Sequence, residues 1–142
     1  SPASVAPSCA VDAGLLIWMR HVVQPAAQRH FGAKVTLVEN LGSNNCRRIA
    51  GRDSWSEHAS GNAIDVSAFV LADGRRIVLL RDWNSENPRD GGKRAAFLRE
   101  VRDGACGLFS TVLSPDYMPP TANANHFHFD MAGRVAGWSV CR

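Results

Sequence analysis

The segment His126-Phe127-His128-Phe129-Asp130 constrains the fold of this chain more than any other, because aromatic and polar residues alternate through it without a break. That period of two is the signature of a strand with one face in a core and the other face free for chemistry. It requires a sheet, and it requires layers packed on only one side of that sheet at this point. A second signal comes earlier, where the β-prone runs Asn62 to Val70 and Arg76 to Leu80 flank Ala72-Asp73-Gly74-Arg75. Asp-Gly tolerates the positive φ angles of tight hairpin turns, so these runs are expected to pair antiparallel. Lys34 to Glu39 reads as another strand, with Val35, Leu37 and Leu41 directed inward.

Helical spacing is confined to two stretches. From Asp12 to His30 the residues Leu15, Leu16, Met19, Val22, Val23 and Ala26 recur at helical intervals, with Asp12 as a cap, Gly32 as a stop and Pro25 as the point of a kink or split. Lys93 to Asp103 is the second helix, with Ala96, Phe97, Leu98 and Val101 as its inner face. Trp83 to Gly92, rich in Asn, Asp, Pro and Gly, reads as a surface loop. The fold class expected is therefore α+β, an antiparallel β-sheet with helices packed on one face. At 142 residues the chain has room for one sizeable core, so residues 9–142 form one domain and residues 1–8, with two prolines and small polar neighbours, a linker remnant.

No apolar run is long enough to span a membrane. The formal charge is +3, but the arginines are scattered and no basic stripe with interleaved aromatics appears, which argues against nucleic acid as a partner. The four cysteines, Cys9, Cys46, Cys106 and Cys141, are too far apart for a zinc knuckle or a dithiol redox motif, and two structural disulfides are the simplest reading. Three pairings are open. Cys9 with Cys46 and Cys106 with Cys141 would tie each chain end to the nearest internal cysteine. Bridges of this kind imply an oxidising compartment.

The chemistry sits in two places: Ser56-Glu57-His58-Ala59-Ser60-Gly61-Asn62-Ala63-Ile64-Asp65, and the later His126-Phe127-His128. Two imidazoles and one carboxylate make the ligand set of a catalytic zinc site, which keeps a fourth position for water. His126 and His128 leave the same face of their strand, so one can bind a metal while its neighbour touches water or substrate. His21 and His30 lie on the first helix without such partners and are read as structural. Asp130, on the same face, is placed either to orient a ligand imidazole or to form a strand-end salt bridge.

The pattern S-x-H-x-x-G-x-A-x-D followed by H-x-H resembles the zinc peptidase group that includes D-Ala-D-Ala carboxypeptidases and dipeptidases, penicillin-insensitive murein endopeptidase, lysostaphin-type endopeptidases and the hedgehog signalling domain. More closely, Cys9 to Arg142 resembles the bacterial extensin-like carboxy-terminal domain family. The likeness is carried by Val23-Gln24-Pro25-Ala26-Ala27, Cys46-Arg47, Ser56-Glu57-His58-Ala59, Ala63-Ile64-Asp65-Val66, Gly104-Ala105-Cys106, His126-Phe127-His128-Phe129-Asp130 and Cys141-Arg142. The resemblance implies a hedgehog/D-Ala-D-Ala-peptidase-like sheet. It implies Zn2+ held by His58, Asp65 and His128, with His126 facing the bound water or oxyanion. Arg47 would hold a substrate carboxylate or carbonyl, with Arg48 as the alternative.

The activity it implies is that of a zinc metallopeptidase hydrolysing amides of peptidoglycan peptides in the periplasm or outside the cell, as a monomer. Substrate selection would fall to the loops Trp83 to Gly92 and Pro115 to Asn125. One departure stands out. Where many carboxypeptidases of the wider group carry a glutamate base, three residues before the last ligand, this chain has Asn125. Either His126 supplies the base or turnover is slow; Glu57, beside the first ligand, points the wrong way to help. A zinc-stabilised module that binds cell wall or a protein without cutting is the alternative reading.

Overall fold

The computed structural model describes residues 9–41, 62–85, 89–90, 92–117, 125–133 and 139–142. His58, Arg47, Arg48, Glu57, Cys46 and the leading residues 1–8 lie outside them.

The chain enters through a run of consecutive helical segments. Helix α1 (Cys9–Trp18) passes into a π-helical turn (Met19–Val23) and on into α2 (Gln24–Phe31). Pro25 was expected to kink or split this helix, and the α-helix is indeed interrupted just before it, by the π turn. Proline lacks an N–H and its ring crowds the carbonyl four residues back. The wider turn, in which the Gln24 N–H reaches Met19 O, lets the proline enter at the first turn of α2, where it is tolerated. Gly32 ends α2 as expected, at φ 64°, its N–H donating to Gln28 O.

The sheet follows. Strands β1 (Val35–Asn40), β2 (Ala63–Leu71), β3 (Arg76–Val78), β4 (Thr111–Leu113), β5 (Phe127–Asp130) and β6 (Val140–Cys141) run in the order β1-β2-β5-β4-β6, with β3 also on β2. All pairings are antiparallel except β4 with β6. Along one edge of β2, its first half pairs with β5 and its second half with β3. The expected hairpin is present, with Gly74 at φ 89° and the Gly74 N–H donating to Leu71 O. The fold is thus α+β, a mostly antiparallel sheet with helices.

Two register shifts decide which residues face the core. In β2, Val66 pairs with Asn40 and Ala68 with Glu39, so Ser67 is the extra residue of a bulge. Ile64 and Val66 before it and Phe69 and Leu71 after it can then all belong to the core, which strict alternation would forbid. In β1 a shift between Val35 and Leu37 turns Leu37 outward. Leu37 and Leu41, expected inside, are about half exposed, at 47% and 54%, and Val38 packs against the core instead.

The helical side of the sheet is filled with rings. Trp18 meets Phe129 edge-on at 5.0 Å and Phe69 at 5.8 Å between centroids, and Phe109 stacks on Phe129 at 4.8 Å. The Trp18 indole N–H donates to Val101 O of α4 (Lys93–Ala105), which ties the two helical segments together. The second helix buries Phe97, Leu98 and Val101 as expected, while Ala96 is exposed.

Other local readings need correction. The run Arg76 to Leu80 stops as a strand at Val78, where α3 (Leu79–Asp82) begins; the buried Asp82 carboxylate accepts the Val78 N–H. Trp83, assigned to a surface loop, is buried: its ring meets Phe127 edge-on, Arg99 lies over it at 4.3 Å, and its N–H donates to Asp116. Cys106 and Cys141 form the expected disulfide, with Cα atoms 5.5 Å apart. Cys9 is exposed at the start of α1. Among the described residues no helix is long and apolar enough to cross a membrane.

Candidate functional site

The site is built from the polar residues of β5 and the strands beside it. Phe127 and Phe129 of β5 are wholly buried among the rings of the core. The pleat therefore sends His126, His128 and Asp130 to the opposite face. In the antiparallel ladder Asp65 of β2 stands directly across from His128, and Thr111 of β4 directly across from Asp130. Register alone thus gathers a carboxylate, an imidazole, a second carboxylate and a hydroxyl into one patch.

The side chains in this patch are joined. His128 Nδ1 lies 3.2 Å from Asp65 Oδ1, and His128 Nε2 lies 2.7 Å from Asp130 Oδ2. Asp130 also accepts the Ala132 N–H at 3.0 Å and a hydrogen bond from Thr111. His126 Nδ1 lies 2.9 Å from Asn125 Oδ1, and its Nε2 lies 3.6 Å from Asp65 Oδ2. Asp65, His126 and Asp130 are buried, at 8%, 6% and 5% exposure.

Burial would lower the affinity of His128 for a proton, but hydrogen bonds to Asp130 and Asp65, with the charge of both carboxylates, override it and raise its pKa to about 9. Burial likewise opposes ionisation of Asp130. The hydrogen bonds from His128, Ala132 and Thr111 win there and hold its pKa below the usual carboxylate value. The two carboxylates thus favour the imidazolium form of His128, each of whose ring nitrogens faces a carboxylate oxygen.

Two of the three expected donors stand at a separation compatible with a shared metal ion. Two ligands at about 2.0 to 2.1 Å from one tetrahedral ion stand roughly 3.3 Å apart. The Asp65 Oδ1 and His128 Nδ1 atoms are 3.2 Å apart. The far nitrogen of the same imidazole rests on Asp130, the arrangement by which carboxylates fix the tautomer and orientation of metal-bound histidines. Among the described residues no three His, Cys, Asp or Glu side chains form a group that could hold an ion. The expected third ligand, His58, lies outside those residues, as does Arg47.

The structure thus brings together Asp65, His126 and His128 from the sequence reading. Asp130, read either as orienting an imidazole or as forming a strand-end salt bridge, meets the His128 ring at 2.7 Å. His21 is exposed on the π turn, and His30 Nε2 meets Glu100 at 3.1 Å, in keeping with structural roles. Thr111 was missed. Its strand is three residues long and carries no pattern of its own, so only the register with β5 reveals it. Asn125 was noted for lacking a carboxylate, whereas its contact with His126 needed side-chain geometry to be seen.

A comparison with curated proteins and another with solved structures each found no match. The family model for the extensin-like protein C-terminus covers residues 1–142. On that match over its whole length, the chain belongs to the extensin-like protein C-terminus family.

Proposed function

We propose that this domain is a zinc-dependent amide hydrolase acting on the peptide part of peptidoglycan, in the periplasm or outside the cell. The observation that carries this reading is His128 itself. One nitrogen sits at ligand-pair distance from Asp65 while the other is committed to Asp130. In this reading Asp65, His128 and His58 hold the metal on a hedgehog/D-Ala-D-Ala-peptidase-like sheet. Zinc, when bound, would polarise the scissile carbonyl and bring the pKa of its water toward about 7.

The chain's own residues supply the rest. His126 Nε2, beside Asp65 Oδ2, is the nitrogen that takes and returns the proton. Arg47 offers two parallel donors to a substrate carboxylate, as a planar guanidinium does. The Cys106–Cys141 bridge suits an oxidising compartment, and the charge of +3 suits an anionic wall. Asn125, which cannot act as a carboxylate base, favours one second reading: a zinc-stabilised module that binds the wall without cutting it.

The test is elemental analysis of zinc beside mass spectrometry of fragments released from purified peptidoglycan. His128→Ala should lose both zinc and release. His126→Ala should keep zinc and lose about two to four orders of magnitude in rate, the usual weight of general acid or base catalysis. A His126→Ala protein as fast as the parent would remove that role. Zinc-loaded parent that binds wall and releases nothing would favour the binding module.

A further inference from the structure

The site face of the sheet carries an apolar residue on each side of Asp65 and His128. The Leu41 N–H donates to Asp65 O at 2.8 Å. The pairing of β1 with β2, in which Asn40 stands across from Val66, therefore continues one residue beyond β1 and sets Leu41 across from Asp65. Asp65 stands across from His128, and His128 across from Leu113 of β4. Residues directly opposite one another share a face. Their chain neighbours face the other way: Asn40 and Val66 border a cavity against α1, and Val112, Phe127 and Phe129 are wholly buried in the core. Leu41, Asp65, His128 and Leu113 thus form one row across four strands, apolar at both ends and polar in the middle. Leu41 is 54% exposed and Leu113 is half-buried, so both are open to a bound molecule.

We propose that Leu41 and Leu113 are specificity-determining residues, apolar walls that select the substrate residues on the two sides of an amide held over Asp65 and His128. Strands stand about 4.8 Å apart, so the walls rise about 14 Å from each other, a distance that about four extended residues cover. A peptide crossing the strands then has two residues on each side of the central amide, with one wall beneath each pair. An apolar side chain there is stabilised by leaving water for leucine. A charged one loses its water, finds no partner in leucine and is rejected. The substrate class that fits is a peptide with uncharged, apolar residues within two positions of the central amide on both sides. The effect of the walls on cleavage rests on the hydrolytic reading above; their effect on binding does not.

The experiment uses the zinc-loaded full chain and synthetic alanine peptides of mixed L and D configuration, with leucine, lysine or glutamate placed on one side of the central amide. Binding is read by fluorescence anisotropy and cleavage by mass spectrometry. The parent should prefer alanine or leucine to either charged residue by about tenfold or more on both sides. Leu41→Lys should turn the preference toward glutamate on one side only, and Leu113→Lys on the other side only. The untouched side of each variant, with its zinc content, reports whether the fold is intact. Leu113→Gln, which keeps the bulk, takes the place of Leu113→Lys if that variant loses zinc, and should abolish the apolar preference on its side. A parent that binds none of the peptides or makes no distinction among them would overturn the proposal, as would variants that leave both preferences unchanged or shift both alike. Binding that follows the two sides as stated without cleavage leaves the walls standing and sinks the hydrolytic reading. Cleavage that ignores the variants does the reverse.

Discussion

The raised pKa of His128 makes the stability of the metal-free protein depend on pH in a definite direction. The group has a pKa of about 9 in the fold against 6.5 for an ordinary imidazole. A raised pKa means that the folded state binds the proton more tightly than the unfolded chain does. The stabilisation is therefore complete below about pH 6.5 and disappears as pH rises through about 9. The difference between those values is worth on the order of 3 kcal/mol, a large fraction of what holds a domain of this size folded. Urea unfolding after chelation, at intervals from pH 6 to pH 10, should show it. Other groups titrate in the same range, so the quantity to follow is the stability of the parent minus that of His128→Gln. This difference should shrink by the stated amount across the interval. A difference that stays flat, or grows with pH, would show that Asp65 and Asp130 do not hold a proton on this imidazole. Zinc bound at Nδ1 would use the same lone pair, so a zinc-loaded protein should lose this dependence and instead release its metal in acid.

Other expectations follow from the same geometry. Thr111→Val takes a hydroxyl from the buried Asp130 and should cost about 1 to 3 kcal/mol in denaturant unfolding; a loss below roughly 0.5 kcal/mol would place the hydroxyl outside the network. Gly104→Ala replaces a glycine in the last turn of α4, a change worth at most about 1 kcal/mol of stabilisation by propensity. A Cβ there would collide with the branched carbons of Val22, so the melting temperature should fall rather than rise. Replacing Cys106 and Cys141 together by serine opens a bridge between residues 35 apart in sequence and should lower stability by roughly 3 to 4 kcal/mol, read as a lower urea midpoint.

What was legible in the sequence were features set by period and by single strong residues. The alternation in His126 to Asp130 gave the two faces of β5. Asp73-Gly74 gave the hairpin, and the Asp65 to His128 neighbourhood followed from placing each on a strand. What stayed hidden depends on partners distant in sequence. The bulge at Ser67 and the shift after Val35 change which residues face inward without marking the composition, so Leu37 looked like core and Val38 did not. Trp83 sits in a polar stretch, and it is Phe127, Arg99 and Asp116 that bury it. Thr111 belongs to a strand too short to announce itself.

These two kinds of information meet in β5. Phe127 is held by Trp83, and Phe129 by Trp18 and Phe109, so the core fixes the strand on one side. The pleat then transmits that position to His126, His128 and Asp130 on the other, without a loop in between. The described members of the patch are joined through His128, whose two ring nitrogens meet Asp65 and Asp130. In the hydrolytic reading proposed above, proton and metal are alternative occupants of one lone pair in a frame built by aromatic packing. The determinants of site geometry therefore lie in Trp18, Trp83, Phe109, Phe127 and Phe129 as much as in the polar residues they carry.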